Sequence, residues 1–316
     1  MRINLHMHSR YSDGSQWPEE MAARAARLGI EAASLTDHDS MEGTEAFLAA
    51  CQAFGVRGIA GVEIDCVSRD LDFDSEILGY FPKGPHAATS AFLSRLLSER
   101  AQKMRAYLER ARALFHREDL TLEDMQERKR EGAPVRDGDK AAFTFIKPNL
   151  FDLLKEKGVL EAGLDYPAFK KRYASTLFPA TGVPEKPQFM EAVECVRADG
   201  GVLVLAHPAL LCRDNPRGAL ESEERYRKLF AAAAGLGFRA AEMNWYGHDT
   251  ADINAFLGRL ARECGLMLTW GCDCHGRGSP HDRMALFHGE VTERQMEDLF
   301  QVSFAEDSPR ASNSGR

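Results

Sequence analysis

The chain opens with the stretch Met1-Arg2-Ile3-Asn4-Leu5-His6-Met7-His8-Ser9-Arg10-Tyr11-Ser12-Asp13-Gly14. Apolar and polar residues alternate from position 3 to position 8, which is the period of a β-strand. Because alternate side chains of a strand share one face, His6 and His8 point the same way, about 6.5–7 Å apart along the backbone. Two imidazoles at that spacing can close on one divalent ion, and the turn at 12–14 presents Asp13 just beyond the strand. A strand with two solvated histidines explains a His-x-His pair by itself equally well.

The composition is that of an ordinary globular protein. The chain has 316 residues, 44% of them apolar and 28% charged, enough for one large α/β domain or for a barrel with an insertion. The net charge of −8 argues against a broad basic surface for nucleic acid. A phosphorylated substrate is compatible with this charge, because bound divalent cations reverse the local field.

Cysteine spacing and hydropathy bear on the cellular compartment. The seven cysteines show no spacing typical of a disulfide framework, and no signal peptide precedes His6. No apolar run approaches the ~20 residues of a membrane span. We therefore expect a reduced, soluble, cytoplasmic protein that does not bind membranes, and nothing in the sequence indicates a stable protein partner.

Strand and helix patterns alternate on both sides of a long central region. The predicted strands cover 3–8, 32–36, 57–64, 75–81, 201–206, 238–245 and 266–271. Helical patterns cover 18–28, 44–54 and 189–198. Close alternation of strands and helices predicts parallel pairing with right-handed crossovers, and therefore an α/β fold.

The region from 85 to 185 has a different texture. It contains helical patterns at 92–114, 143–159 and 166–177, a charge-rich stretch at 118–132, and no convincing strand. We interpret it as a mostly helical insertion that covers the mouth of a barrel formed by 1–84 and 186–302, with hinges at 132–140 and 178–187. The tail at 305–316 is poor in apolar residues and is predicted to be disordered.

Metal-ligating residue types recur at the ends of the predicted strands. Six of the seven strands carry such residues at or just past their C-terminal ends: His6, His8, Asp37, His38, Glu63, His207, Glu242, Asp273 and His275. The fourth strand carries Glu76 near its start instead. In a parallel barrel all C-terminal strand ends open on one face, so these side chains would converge. Imidazole and carboxylate together suit Zn, Mn or Fe and do not suit Ca. Any one of these histidines could simply bond locally, but six concordant strand ends are hard to explain in that way.

At this point the chain resembles the PHP (polymerase and histidinol phosphatase) family of metal-dependent phosphoesterases. The resemblance is carried by segments 5–9, 12–14, 36–39, 61–63, 206–208 and 273–276, which occur in the family's order. It implies a distorted, TIM-like (β/α)7 barrel with two or three divalent ions (Mn, Zn or Fe) at its C-terminal face. The insertion is similar to that of members that act on nucleotides such as 3′,5′-bisphosphates or on short RNA ends.

The resemblance also implies a role for each matching residue. The implied ligands are His6, His8 and Asp273 for a first ion, Glu63 as a bridge to a second ion with His207, and Asp13, His38 and His275 for a third. Asp37 matches an acidic residue that fixes a neighbouring imidazole, a role compatible with a plain helix N-cap.

Three positions depart from the family pattern. Glu76 stands where a histidine ligand of the second ion is usual. A carboxylate can still bind Mn or Zn, so Glu76 is the ninth predicted metal ligand, although the second site could be altered or weak. Lys147-Pro148-Asn149 replaces an Arg-Pro-His or Arg-Thr-His signature that faces substrate phosphate; lysine keeps the charge but loses the bidentate fork. Arg100 falls where such members place another arginine. For Lys147 and Arg100, a solvated helix face is an equally good explanation.

The resulting hypothesis is a metal-dependent phosphoesterase that hydrolyses a phosphomonoester of a small phosphorylated metabolite, foremost a nucleotide of the 3′,5′-bisphosphate type. Metal ions at Glu63 would activate a hydroxide, and Lys147 with Arg100 would balance phosphate charge. His207 or His248 would protonate the leaving group, and Asn149 cannot act as an acid or a base. The alternatives are a 5′–3′ exonuclease on short RNA or DNA, a histidinol-phosphate phosphatase, and a domain that binds metal or a ligand without catalysis.

Overall fold

The structure is a computed structural model that describes residues 1–84, 86–131, 142–178, 186–212, 215–279, 281–287 and 289–303. The strands are β1 (Arg2–Asn4), β2 (Ala32–Leu35), β3 (Arg57–Ser68), β4 (Phe73–Phe81), β5 (Val202–Leu205), β6 (Ala240–Met243), β7 (Met267–Trp270) and β8 (Gly289–Glu290). They form one sheet in the order β7-β6-β5-β4-β3-β2-β1-β8.

The sheet closes almost completely into a barrel. Beyond β1, the Leu5 amide donates to the Trp270 carbonyl at 2.9 Å, and Met7 forms a parallel bridge with Cys274. The first and seventh strands therefore meet, which confirms the predicted barrel. The two-residue strand β8, antiparallel to β1, was not predicted.

Ten α-helices are described: α1 (Pro18–Arg27), α2 (Thr44–Phe54), α3 (Ala87–Phe115), α4 (Leu122–Arg130), α5 (Lys147–Glu156), α6 (Tyr166–Leu177), α7 (Phe189–Ala198), α8 (Glu223–Gly235), α9 (Thr250–Glu263) and α10 (Glu293–Phe300). Helices α4, α8, α9 and α10 were not predicted; the sequence identified the region of α4 only as charge-rich. Short 3-10 helices cover Pro208–Cys212, Pro216–Glu221 and Gly247–Asp249. Within the described ranges, no helix combines the length and the apolar character needed to cross a membrane.

The direction of β4 differs from the prediction. It is antiparallel to both of its neighbours, β3 and β5. Only residues 69–72 join it to β3, and a parallel pair needs a much longer crossover connection. The start of β4 therefore lies at the same rim as the C-terminal ends of the other strands, and Glu76 pairs in register with Asp65 of β3.

Apolar side chains fill the opposite end of the barrel. Leu5, Tyr80 and Val204 belong to a buried cluster that includes Phe300 of α10, whose ring centroid lies 5.7 Å from that of Tyr80. The Tyr80 hydroxyl donates to the Leu5 carbonyl at 2.9 Å. This end is therefore filled with packed apolar side chains, and the polar strand-end residues collect at the other end.

Helices α3 to α6 have an apolar cluster of their own, to which Tyr11 and Trp17 of the first segment also belong. Tyr11 stacks on Phe143 with ring centroids 5.5 Å apart. The described residues between 86 and 178 contain helices and no strand, in agreement with the predicted helical texture. The domain limits themselves stay a prediction. Most of both predicted hinges and the predicted disordered tail lie outside the described residues.

Candidate metal centre

Four buried side chains from three parts of the barrel meet at one point. The Nε2 atoms of His6 and His8 are 3.1 Å apart. Glu63 places its two carboxylate oxygens 3.2 Å from these nitrogens, one oxygen to each imidazole. Asp273 approaches His8 Nε2 at 3.1 Å. This first group has the residues that the sequence assigned to the first ion, with Glu63 as the bridge.

Two further groups share ligands with the first. Glu63, Glu76 and His207 form the second group, in which His207 Nε2 lies 2.9 Å from Glu63 Oε1 and 3.9 Å from Glu76 Oε2. The third group consists of His8, Asp13, His38 and His275. In it, Asp13 Oδ2 lies 3.1 Å from His275 Nε2 and 3.9 Å from His38 Nε2. Because Glu63 and His8 each belong to two groups, all nine predicted ligands form one continuous cluster.

The donor atoms of this cluster fit divalent cations. His6 and His8 turn ring nitrogens toward each other, an arrangement that a shared cation accounts for. Glu63 Oε2 is buried within 3.2 Å of two imidazole nitrogens, yet it accepts no well-directed hydrogen bond from the described residues. Lone pairs that converge in this way from imidazole and carboxylate are the donor set preferred by Zn, Mn and Fe.

Glu242 orients the first group from behind. Its Oε1 lies 3.0 Å from His6 Nδ1, and its Oε2 accepts hydrogen bonds from the His207 amide at 2.8 Å and from Asn244 Nδ2 at 2.9 Å. A carboxylate on the far nitrogen of a ligating imidazole fixes its tautomer and raises its basicity. Glu242 was placed at a strand end by the sequence but not among the predicted site residues. The one available signal was its position at the end of β6.

Asp37 makes no direct contact with an imidazole among the hydrogen bonds and ion pairs of the described residues. Its carboxylate accepts hydrogen bonds from the Ser9 amide, the Ser9 hydroxyl and the Ser12 hydroxyl. Ser12 in turn lies 3.5 Å from His8 Nδ1, so Asp37 reaches that imidazole only through a serine. The N-cap alternative is wrong, because α2 begins seven residues later with Gly43 at its N-cap.

The charges of the centre are strongly coupled. Burial by itself would lower the pKa of His6, but the Glu242 and Glu63 carboxylates outweigh it and raise that pKa well above its ordinary value. Burial would raise the pKa of Glu63, but His6 and His38 hold it well below the usual range. For Glu76, burial and the nearby Asp65 carboxylate outweigh the opposing effect of His207 and His38 and raise the pKa to about 7. Glu76 is therefore the carboxyl of the centre that titrates near neutral pH.

Two cavities adjoin the centre. The first, of about 280 Å³, begins at His38 and Glu76 and reaches under the helices of the insertion. Its basic and aromatic lining consists of Arg100, Lys103, Lys147, Lys186, Tyr107, Phe145 and Tyr166. The second, of about 370 Å³, begins at Asp13 and is lined on its far side by Lys129 and Asn149. Phe145 is a lining residue of both cavities.

The predicted substrate-binding residues have different fates. Lys147 lines the first cavity beside the centre. Arg100 also lines it, but its guanidinium donates to the buried Asp39 carboxylate and lies 3.5 Å from Asp65. Asn149 lines the second cavity, and its Oδ1 accepts from the Ile146 amide at 2.9 Å, which caps α5.

His248 is the predicted residue that the structure does not bring to the centre. Its side chain is 94% exposed and lies 3.1 Å from Asp249. It lines a separate apolar cavity with Trp245 and Trp270. It follows β6 on a 3-10 turn beside this other cavity, a position that does not support the predicted contact with substrate.

The fold and the site define a class: an α/β barrel with a candidate multinuclear metal centre at the rim where its strands end. Comparison with protein families matches residues 4–125 to the PHP domain. Residues 4–125 therefore match a PHP domain, which confirms the resemblance seen in the sequence.

Three known proteins illustrate the similarity. A phosphoribosyl 1,2-cyclic phosphate 1,2-diphosphodiesterase of Eggerthella lenta is 28% identical over 87% of this chain and 94% of its own. A 5′-3′ exoribonuclease of Haemophilus influenzae is 29% identical over 87% of this chain and 90% of its own. A solved protein of Bifidobacterium adolescentis, provisionally named as a metal-dependent phosphoesterase, superposes with a TM-score of 0.67, covers 95% of both chains and is 23% identical. This last likeness supports the fold.

Proposed function

We propose that this chain is a metal-dependent phosphoesterase that removes a phosphate group from a small nucleotide, foremost one with two phosphates such as a nucleoside 3′,5′-bisphosphate. The enzyme class, a hydrolase of phosphate esters, agrees with the names of its relatives. One observation carries the choice of substrate. The cluster of metal-ligating residues adjoins a cavity of about 280 Å³ whose lining includes Lys103 and Lys147, and this volume, close to the lower limit of ligand pockets, favours a small substrate.

Each ligand group of the proposed centre would hold one cation. The first group would hold one cation with Glu63 as a bridge, and the second and third groups would hold one each. Bound divalent cations supply an activated water and neutralise phosphate oxygens. Glu242 keeps His6 in the tautomer that leaves its Nε2 lone pair toward the centre.

The first cavity would bind the parts of the substrate that lie beyond the reacting phosphate. Lys147 and Lys103 place positive charge beyond the ligand cluster, where a second phosphate of the substrate would lie. Tyr107 and Tyr166 line the same cavity and offer aromatic surface to a base. His207 turns Nε2 toward Glu63 and would hold the second cation through that nitrogen, so this nitrogen would not also protonate the leaving oxygen.

A second candidate function is 5′–3′ hydrolysis of short oligonucleotides. The observation that favours it is the second cavity, which begins at Asp13 and shares the lining residue Phe145 with the first. A phosphodiester needs room for a group on each side of the reacting phosphate, and the two cavities together provide that room. The exoribonuclease among the relatives has an activity of this kind.

The test is a substrate panel with protein whose bound metals have been quantified. The panel contains a nucleoside 3′,5′-bisphosphate, the matching 5′-monophosphate, a 5′-phosphorylated trinucleotide, a cyclic ribose phosphate and histidinol phosphate, each with added Mn²⁺. We expect kcat/KM for the bisphosphate to exceed that for the monophosphate by about tenfold or more, because a second phosphate gains charged contacts. Asp273→Asn is the control for contaminating phosphatases.

Each other result selects an alternative. Preference for the trinucleotide would favour the 5′–3′ exonuclease. Preference for histidinol phosphate would favour the histidinol-phosphate phosphatase. Bound metal without turnover of any compound would leave a domain that binds without catalysis.

A further inference from the structure

A fourth group of candidate ligands overlaps the three groups of the centre and adds one residue to them, His281. Asp273, His275 and His281 bring one ligand atom each within 4.8 Å of one another. The side chain of Asp273 is buried, that of His275 is 12% exposed, and His281 is exposed. The group therefore runs from solvent to the centre, and His281 was not among the residues predicted from the sequence.

The barrel holds His281 in place. The His275 amide donates to the His281 carbonyl at 3.2 Å, and the two rings have centroids 5.0 Å apart. The next residue, Asp282, forms an ion pair with the buried Arg24 of α1, and its amide donates to Ser279. The imidazole thus stands at a defined position on the rim.

The fourth group shares both of its inner residues with the centre. His275 turns Nε2 toward Asp13 at 3.1 Å, while its Nδ1 lies 3.0 Å from the Asp273 carbonyl. An imidazole that binds a cation through Nε2 keeps its proton on Nδ1 and has no second lone pair to offer. The outer position and the third group therefore compete for His275, which argues against permanent occupation of both.

We propose that Asp273, His275 and His281 form an outer position that a divalent cation occupies in transit to the third group. This inference rests on the proposed metal centre. One carboxylate and two imidazoles suit Mn²⁺, Zn²⁺ or Fe²⁺ arriving from solvent. While His275 holds the outer ion through Nδ1, its proton lies on Nε2; when the ion moves inward to Nε2, that proton is released to solvent and Nδ1 takes up a proton in its place. His281 does not bind the ion in its final position, so it affects the rate at which the centre takes up metal and not the number of ions bound.

The test follows Co²⁺ binding to metal-free protein by rapid mixing, with absorbance as the signal, and then counts bound ions at equilibrium. We expect His281→Gln to slow the slowest binding phase about fivefold or more and to leave the final number of ions unchanged. His281→Asp supplies another ligand and should restore most of the rate. His248→Gln is the matched control, because it removes an exposed imidazole beside a different cavity.

The other outcomes overturn the inference. An unchanged rate in His281→Gln would show that ions reach the centre by another route. A loss of one ion at equilibrium would make His281 a permanent ligand instead of a transit ligand. If wild-type protein bound no Co²⁺, the proposed function would fail as well, whereas binding and turnover with equal rates in both histidine variants would sink this inference alone.

Discussion

Glu242 and His6 form a buried carboxylate–imidazole pair, with Oε1 and Nδ1 3.0 Å apart. The same carboxylate accepts the His207 amide, so a single side chain on β6 orients residues of the first and second ligand groups. Neither partner is exposed to solvent. The contact therefore couples the geometry of two ligand groups to one strand that contributes no ligand of its own.

Replacing this carboxylate should weaken metal binding. The two carboxylate oxygens of Glu242 accept from three donors, on His6, His207 and Asn244. Glu242→Gln replaces one of these oxygens with an NH₂ group, so at least one donor loses its acceptor. We expect the affinity for Mn²⁺ to fall about 10- to 100-fold, the usual effect of losing such a partner. Titration of metal-free protein measures it. Glu290→Gln, on the exposed β8, serves as control, and equal affinities in the two variants would contradict the orienting role of Glu242.

Metal removal should destabilise the folded chain. The centre gathers four carboxylates, Asp13, Glu63, Glu76 and Asp273, whose repulsion bound cations would relieve. A ligand at 100 times its Kd stabilises the native state by about 2.7 kcal/mol. We expect a chelator to lower Tm by about 5 °C or more, as measured by calorimetry. In Asp273→Asn the chelator effect should shrink. A Tm that does not respond to the chelator in wild-type protein would argue against a loaded centre.

Glu76 should make the stability of metal-free protein depend on pH. Burial and Asp65 raise its pKa to about 7 in the folded state, above an ordinary unfolded value of about 4.3. The folded state then binds more protons between these two values. The stabilising contribution of Glu76 is therefore fully present below the unfolded pKa and is lost as the pH rises through about 7.

Glu76→Gln isolates this effect. The variant's free energy of unfolding relative to wild type should rise by about 3 kcal/mol between pH 4 and pH 8, as measured by urea unfolding at several pH values. Glu45→Gln, on the exposed side of α2, should give a difference that does not vary with pH. A flat difference for Glu76→Gln would mean that its pKa is ordinary.

Arg100 should matter more for stability than for substrate affinity. It neutralises Asp39, whose carboxylate is fully buried. Arg100→Met leaves that charge without its partner, which should cost about 3 kcal/mol. The double variant with Asp39→Asn should recover more than half of the loss, because asparagine tolerates the positive φ of 49° at this position. A raised KM for the bisphosphate with unchanged stability in Arg100→Met would instead support the predicted substrate contact.

Local patterns were sufficient for much of the barrel. The alternation around His6 and His8, the helix at 44–54 and the polar strand ends are all properties of short segments, and such segments carry their own periodicity. Eight of the nine predicted metal ligands meet because parallel strands end at one rim, and Glu76 joins them because the antiparallel strand β4 starts at that rim. The role of each as a ligand stays a prediction.

What the sequence by itself determined was the identity and order of the strand-end residues, since these depend on local period and residue type. Only the tertiary structure decided the direction of β4, and with it the position of Glu76 at the rim. It also decided the pairing of Glu242 with His6 and the position of His248 beside a different cavity. Each of these depends on which distant segment becomes a neighbour. Hydrogen bonds across a sheet and ion pairs between remote residues leave no periodic trace in the chain.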